Sequence, residues 1–330
     1  MNPGEKSGWR ANRPDVPLSR SHVARLLEPW RGAVPVYDVR QLDGGLMNRN
    51  YRIQLGDDVA VLRFFDRDPL AGAKETSLLR QLHGVLAVPS VFHFDAAPPD
   101  NGPPFAVLEL IEGIALRQLK ASGSPAAIAD AAHDVGLQLA RLASARLSDP
   151  GILDVDLPPD PAVLHGSHVN ASLIDHFLQS ALVHQRLGHA DVDRVHRWAW
   201  TRDDRLSALP AISAIAHGDF NSANILVREC AGHWTVAAIL DWEFAFSGNI
   251  FADIGNFLRY ERPYRPRFEP SFSTGLADGG VTLPAGWREL ARLADLGALC
   301  ELLTRPDVPH AVVTDVCDLV RTTIASRDLS

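Results

Sequence analysis

Between Ile212 and Glu243 the chain reads ISAIAHGDFNSANILVRECAGHWTVAAILDWE, and three of its polar side chains, Asp219, Asn224 and Asp241, could act together on a phosphate ester. ILV and TVAAIL are short β-rich runs around a CAGH turn, so the segment predicts a hairpin. Folding ILVRE back on TVAAILD carries Asp241 toward the loop that holds Asp219 and Asn224. Two carboxylates and a carboxamide would then converge. Such a set offers a base for an attacking hydroxyl and hard oxygen ligands for a magnesium ion that bridges phosphates. Asp219 is the expected base, and Asn224 and Asp241 the expected metal ligands. Each is weak alone: an Asp after His-Gly often only makes a turn, and Asn224 could cap the following strand. His217 reads as a brace of the loop through backbone hydrogen bonds rather than as a proton carrier. Asp253 reads as an anchor of loop amides or a helix cap.

Positioning these groups takes a sizeable fold, and 330 residues leave room for about two lobes. Ser19 or Ser21 can cap a short helix over HVARLLEPW, after which VYDVRQL, NYRIQL and VAVLRFF alternate as three strands. DGGLMNR and GDD supply the turns between them. Asp68 with Pro69 then starts a helix over KETSLLRQL, and PFAVLELIEG reads as a strand ending at Gly113. Beyond it, PAAIADAAHDVGLQLARLASARL and segments near 171–187, 190–208, 287–303 and 310–325 have helical spacing, interrupted only by the hairpin island. A Pro- and Asp-rich stretch, DPGILDVDLPPDPAVLHGS, reads as an insertion in the helical part.

HGDFNSAN at 217–224, ILDWE at 239–243 and GNIFADI at 248–254 together resemble the signature of the aminoglycoside phosphotransferase and choline kinase family, in order and in spacing. The resemblance extends over roughly residues 34 to 260. It implies an α+β, bilobal protein-kinase-like fold with a small antiparallel-sheet N-lobe and a larger, mainly helical C-lobe. Residues 1–33 would be an N-terminal tail and short helix, 34–113 the nucleotide-binding lobe with its hinge, and 114–330 the lobe with the catalytic loop and acceptor site. It also implies Mg2+ and ATP, or GTP, as co-substrate.

The small lobe carries the matching parts in order. Gly44 and Gly45 sit between the first two strands, where backbone amides can approach nucleotide phosphates, and Asn48 follows them in the same expected nucleotide site. Arg63 stands on the third strand where the family usually has a Lys, and Glu75 on the next helix matches its ion-pair partner. Arg keeps the charge but presents a longer planar fork, so the donor geometry should differ. In FAVLELIEG the backbone carbonyl of Glu109 and amide of Ile111 match the interlobe hinge that pairs with adenine. Leu226 and Ile239 are candidates for the apolar floor beneath the ring, and Asn249 stands where the family commonly has Asp.

A net charge of −8 disfavours a nucleic-acid partner held by phosphate neutralisation. No stretch approaches eighteen uninterrupted apolar residues, and Cys230, Cys300 and Cys317 suggest neither a zinc knuckle nor a disulfide framework. A cytoplasmic enzyme is expected, with no membrane or nucleic-acid partner. Its expected partners are a nucleoside triphosphate and a small-molecule hydroxyl acceptor, and its oligomeric state is open. The resemblance covers acceptors from aminoglycosides to choline and homoserine. Acidic residues outnumber basic ones sixteen to ten between 114 and 254, whereas Arg262, Arg265 and Arg267 crowd a later loop, so charge does not choose among them. A catalytically silent nucleotide-binding protein is the alternative that Arg63 supports and the intact Asp219, Asn224 and Asp241 oppose.

Overall fold

The computed structural model describes residues 17–42, 48–66, 68–145, 168–207, 214–248, 250–261 and 268–325. The expected insertion at 149–167 and the basic segment at 262–267 lie outside them.

The chain begins with α1 (Arg20–Arg31), capped by Ser19, whose hydroxyl accepts from the His22 amide at 3.2 Å. Strands β1 (Val36–Gln41), β2 (Arg49–Leu55) and β3 (Asp58–Phe64) follow. Then come α2 (Pro69–Leu82), β4 (Val91–Asp95) and β5 (Phe105–Glu109). The five strands form one antiparallel sheet in the order β1-β2-β3-β5-β4. Strand alternation decides which face each residue joins. Tyr51, Ile53 and Leu55 on β2 and Ala60, Leu62 and Phe64 on β3 point into one core with Val23, Leu26 and Leu27 of α1. Burying aliphatic side chains of that size is worth about 1.5–3 kcal/mol each, so α1 is part of this lobe's core rather than an appendage. Arg63, one residue out of step with Leu62 and Phe64, is sent to the opposite face, where α2 packs.

The large lobe starts with β6 (Ile114–Ala115), α3 (Leu116–Ser122) and α4 (Pro125–Ser144). It continues with α5 (Val169–Leu178), α6 (Ala181–Leu187), α7 (His189–Ser207) and β7 (Ala214–Ala216). The expected hairpin is β8 (Ile225–Cys230) and β9 (His233–Ile239), turning at Ala231 and Gly232, and β6 adds to its other edge. A 3-10 turn (Trp242–Phe244) leads to β10 (Phe246–Gly248), which pairs with β7. The lobe closes with α8 (Ile250–Leu258), α9 (Glu269–Asp278), α10 (Trp287–Leu302) and α11 (His310–Ala325). Its core runs from Leu116 through Phe220 and Trp242 to Val320.

Three readings need correction. PFAVLELIEG is strand only to Glu109, and the residues up to Gly113 are the crossing between lobes. The segment near 171–187 is two helices, because the backbone turns extended at Ser180, at φ −66° and ψ +129°, before a second start. α9 was not foreseen: its sequence, EPSFSTGLAD, holds Pro, Gly and Ser, all poor helix formers. It is held by close packing on α4, where a Cβ on Gly275 would lie 2.0 Å from the His133 carbonyl oxygen and one on Gly136 2.2 Å from that of Phe272.

Candidate active site

The His-Gly-Asp turn follows β7 and precedes β8. Gly218 has φ +80°, and a Cβ there would come within 2.3 Å of the Phe244 carbonyl oxygen, so only glycine fits. Asp253, on the first turn of α8 and fully buried, accepts the His217 amide at 2.8 Å on one oxygen and the Gly218 amide at 3.0 Å on the other. The Asp219 amide can only donate, so His217 Nδ1, 3.2 Å away, is its acceptor. His217 Nε2 therefore carries the proton and donates to the Leu240 carbonyl at 2.9 Å. His217 has no exposure and packs 4.5 Å from the Trp242 ring, so it braces the turn, as its place in the sequence implied.

One residue before Asp241, the Leu240 amide donates to the Asn224 carbonyl at 2.8 Å. Asn224 Nδ2 in turn donates to Asp219 Oδ2 at 2.9 Å and to the Asp219 carbonyl at 3.0 Å. Asn221 ties the same carbonyl at 2.8 Å. The hairpin thus brings Asp219, Asn224 and Asp241 to one end of the lobe. Asp241 itself is left-handed, at φ +70° and ψ +62°, an uncommon conformation for a non-glycine residue and one that costs about 1–2 kcal/mol.

From the other lobe Arg63 meets this end. Its Nη2 donates to Asp241 Oδ1 and lies 3.1 Å from Glu75 Oε2. Glu75 also accepts the Trp242 amide at 3.4 Å, so α2 and the motif after β9 are joined twice. Burial works against the Arg63 charge, but Glu75 and then Asp241 outweigh it and hold the guanidinium ionised. Glu75 is itself pushed up, first by burial and then, against the pull of Arg63, by Asp241 and Glu243. Glu243 was quoted in the sequence motif without a role. It accepts Asn48 Nδ2 at 3.0 Å, and burial, followed by the charge of Asp241, pushes its carboxyl up to about 7. It feels Asp219 as well, so Asp219, Asp241 and Glu243 share one electrostatic neighbourhood.

Asn48, Arg63, Glu75, Asp219, Asn224 and Asp241 are therefore linked through one another, while Gly44, Gly45 and Asn249 lie outside the described residues. The hinge candidates form a second group. Glu109 ends β5, with its amide donating to the Ser90 carbonyl at 2.9 Å and its carboxylate accepting the Ser90 hydroxyl at 2.8 Å. Ile111 lies on the crossing that leads into β6, and Ala115 of β6 pairs with Leu226. Leu226 is half-buried and can line a ligand surface, but Ile239 is 1% exposed and sealed in the core. A separate open groove of about 500 Å3 lies between α4, β9 and α9, lined by Asp130, His133, Asp134, His233 and Trp234 among others. None of the site residues reaches it.

A model of the phosphotransferase enzyme family matches residues 38–293. The chain belongs to this family. Its fold is shared by solved structures of known members. The GDP complex of wild-type aminoglycoside 2'-phosphotransferase-IIIa superposes with a TM-score of 0.65 at 17% identity, over 93% of this chain and 99% of that one. For macrolide 2'-phosphotransferase MphH from Brachybacterium faecium the values are 0.60 and 18%, over 94% and 99%. For the ternary complex of a thermostable mutant of aminoglycoside phosphotransferase APH(4)-Ia with AMP-PNP and hygromycin B they are 0.61 and 17%, over 93% and 99%. No curated protein matches the sequence closely enough to count as a relative. The antiparallel small lobe and helical large lobe are those of this kinase-like enzyme family, and the chain is a phosphotransferase. No described helix is long and apolar enough to cross a membrane.

Proposed function

We propose that this phosphotransferase is a magnesium-dependent small-molecule kinase that moves the γ-phosphoryl group of ATP, or of GTP, to a hydroxyl of an aminoglycoside-like antibiotic or a related small molecule. The observation that carries the reading is the stitching of the catalytic loop to the second motif: Asn224 holds the Asp219 carboxylate at 2.9 Å while its own carbonyl accepts the amide beside Asp241. Asp219 orients the acceptor hydroxyl and takes its proton. Arg63 steadies the donor phosphates, and the hinge at Glu109 and Ile111, with Leu226 beneath, receives the base. Catalysis then needs positioning and charge neutralisation, with no covalent enzyme intermediate.

The donor set suits a hard cation. Asn224 and Asp241 offer an amide oxygen and a carboxylate; among the described residues no group of three or more His, Cys, Asp or Glu could hold a metal ion. A magnesium ion held by two side chains and completed by phosphate oxygens and water fits that pattern. When bound, it neutralises charge on the transferring phosphates.

Substrate-stimulated ADP release, screened over aminoglycosides, other hydroxylated antibiotics and amino alcohols, tests the acceptor class. A response confined to amino alcohols moves the acceptor to a metabolite of the choline or homoserine type. Asp219→Asn should leave nucleotide affinity nearly unchanged and lower transfer by about 100- to 10,000-fold. Unaltered turnover in that variant removes the assigned base. Asp241→Ala should lose magnesium-dependent nucleotide binding, and tight Mg·ATP binding there removes the metal assignment.

A further inference from the structure

Arg63 already donates to the carboxylate expected to hold the metal. Asp241 Oδ1, on the carboxylate assigned to the cation, is the acceptor of Arg63 Nη2, and that same nitrogen lies 3.1 Å from Glu75 Oε2. The guanidinium is tethered: Arg63 sits in β3 between Asn50 and Ala106, its side chain is 8% exposed, and its charge lies 5.5 Å from the Phe65 ring centre. Its Nε is buried with no hydrogen-bond partner, so the Nε–Nη2 edge of the fork is not locked in bidentate fashion on either carboxylate. Nη2 thus donates to Asp241 and makes an ion-pair contact with Glu75, whose Oε2 has no hydrogen-bond partner.

We infer that Arg63 is a positioning residue that gates divalent-cation access to Asp241, with Glu75 as the resting place to which it withdraws. The inference rests on the metal assignment proposed above. A cation at Asp241 meets a guanidinium already using one carboxylate oxygen, and it gains the site only as Arg63 turns wholly to Glu75. Glu75 therefore promotes metal binding from a distance, although it is no ligand. A shorter ammonium on the same strand, as the family usually has, lacks the fork that reaches both carboxylates.

The probe is Mn2+ alone, titrated into the nucleotide-free full-length protein and read from the free-ion electron paramagnetic resonance signal, with a thermal melt on every variant. Arg63→Met should bind Mn2+ at least about tenfold more tightly than the wild type, because a neighbouring positive charge is removed. Glu75→Gln should move affinity the other way, by about three- to tenfold, because Arg63 then has Asp241 alone. Removing one partner of a buried pair can unfold a protein, so Arg63→Met/Glu75→Gln, which leaves no unpaired charge from the pair, serves as a second variant and should also bind more tightly. If neither variant lacking Arg63 tightens Mn2+, or if Glu75→Gln leaves affinity unchanged, the gate is refuted. Asp241→Asn distinguishes this from failure of the metal assignment. If it abolishes Mn2+ binding while the Arg63 variants do not tighten it, only the gate falls. If it binds Mn2+ like the wild type, the metal assignment falls with it.

Discussion

In the large lobe the His-Gly-Asp turn is held by backbone groups: two amides on Asp253, one amide and one carbonyl on His217, and the Asp219 carbonyl on Asn221 and Asn224. In the small lobe a single guanidinium answers to Glu75 and Asp241, with Glu243 close enough to influence both. Hydrogen bonds to fixed backbone atoms have one satisfying geometry, and each lost partner leaves a buried polar group at a cost of about 1–3 kcal/mol. A guanidinium among several carboxylates has more than one arrangement. If Asp219 is the base and Arg63 faces the donor phosphates, as proposed above, the base is held by fixed backbone partners and the guanidinium by exchangeable carboxylates, a division that suits a reaction in which the nucleotide comes and goes while the acceptor hydroxyl must be aimed.

The contrast can be broken most directly at Asp253. Asp253→Ala strands two buried amides and should destabilise the protein by about 2–5 kcal/mol, with transfer lost in parallel; urea unfolding and ADP release measure the two. Unchanged stability would mean that the turn does not depend on this anchor. Gly218→Ala should cost about 2–4 kcal/mol, since the left-handed backbone is penalised and the new methyl meets the Phe244 carbonyl. At the Arg63 end, Asn48→Ala removes only a clasp between the start of β2 and Glu243, and should cost about 1 kcal/mol in stability. Its larger effect should be a weaker KM for nucleotide at nearly constant kcat. A kcat loss as deep as that of Asp219→Asn would put Asn48 in the rigid half instead.

The rigid half was legible in the sequence because its spacing is local. His217 to Asn224 is one loop, and the β8–β9 hairpin is the shortest route by which Asp241 could return to it. Arg63 and Glu75 were placed by the family resemblance, one on the third strand and one on the next helix, and the structure brings them to 3.1 Å. Glu243 was not legible, because its partner Asn48 lies 195 residues away, and nothing in ILDWE distinguishes a buried acid from an exposed one. β4 was missed for a different reason: it is an edge strand with a register break between Val91 and His93, so its residues do not alternate cleanly between core and solvent. The buried pair of Arg259 and Asp295, 2.6 Å apart, joins the end of α8 to α10, and no pattern within either helix announces it.

A pH effect bears on whether Asp253 works as a neutral group or as a charge. Burial pushes its carboxyl up to about 7; the two amide donations lower it, and Asp219 and Asp295 add repulsion that raises it. In the unfolded chain an Asp titrates near 3.9, so between about pH 4 and pH 7 the folded state holds a proton that the unfolded state has released. The stability tied to that proton is full below pH 4 and is lost as pH rises through 7, at no more than about 1.4 kcal/mol per unit. Other groups titrate in the same window, and Asp253→Asn, which has no proton to release at this position, isolates the contribution. Urea unfolding of both proteins at pH 5, 6, 7 and 8 should show the wild type gaining on the variant as pH falls toward 5, with the difference levelling off above 7. A difference that instead grows with pH would mean that the folded turn prefers an ionised Asp253. The large lobe would then be held by charge as the small lobe is, and the distinction between a rigid base and a movable cation would have to be drawn elsewhere.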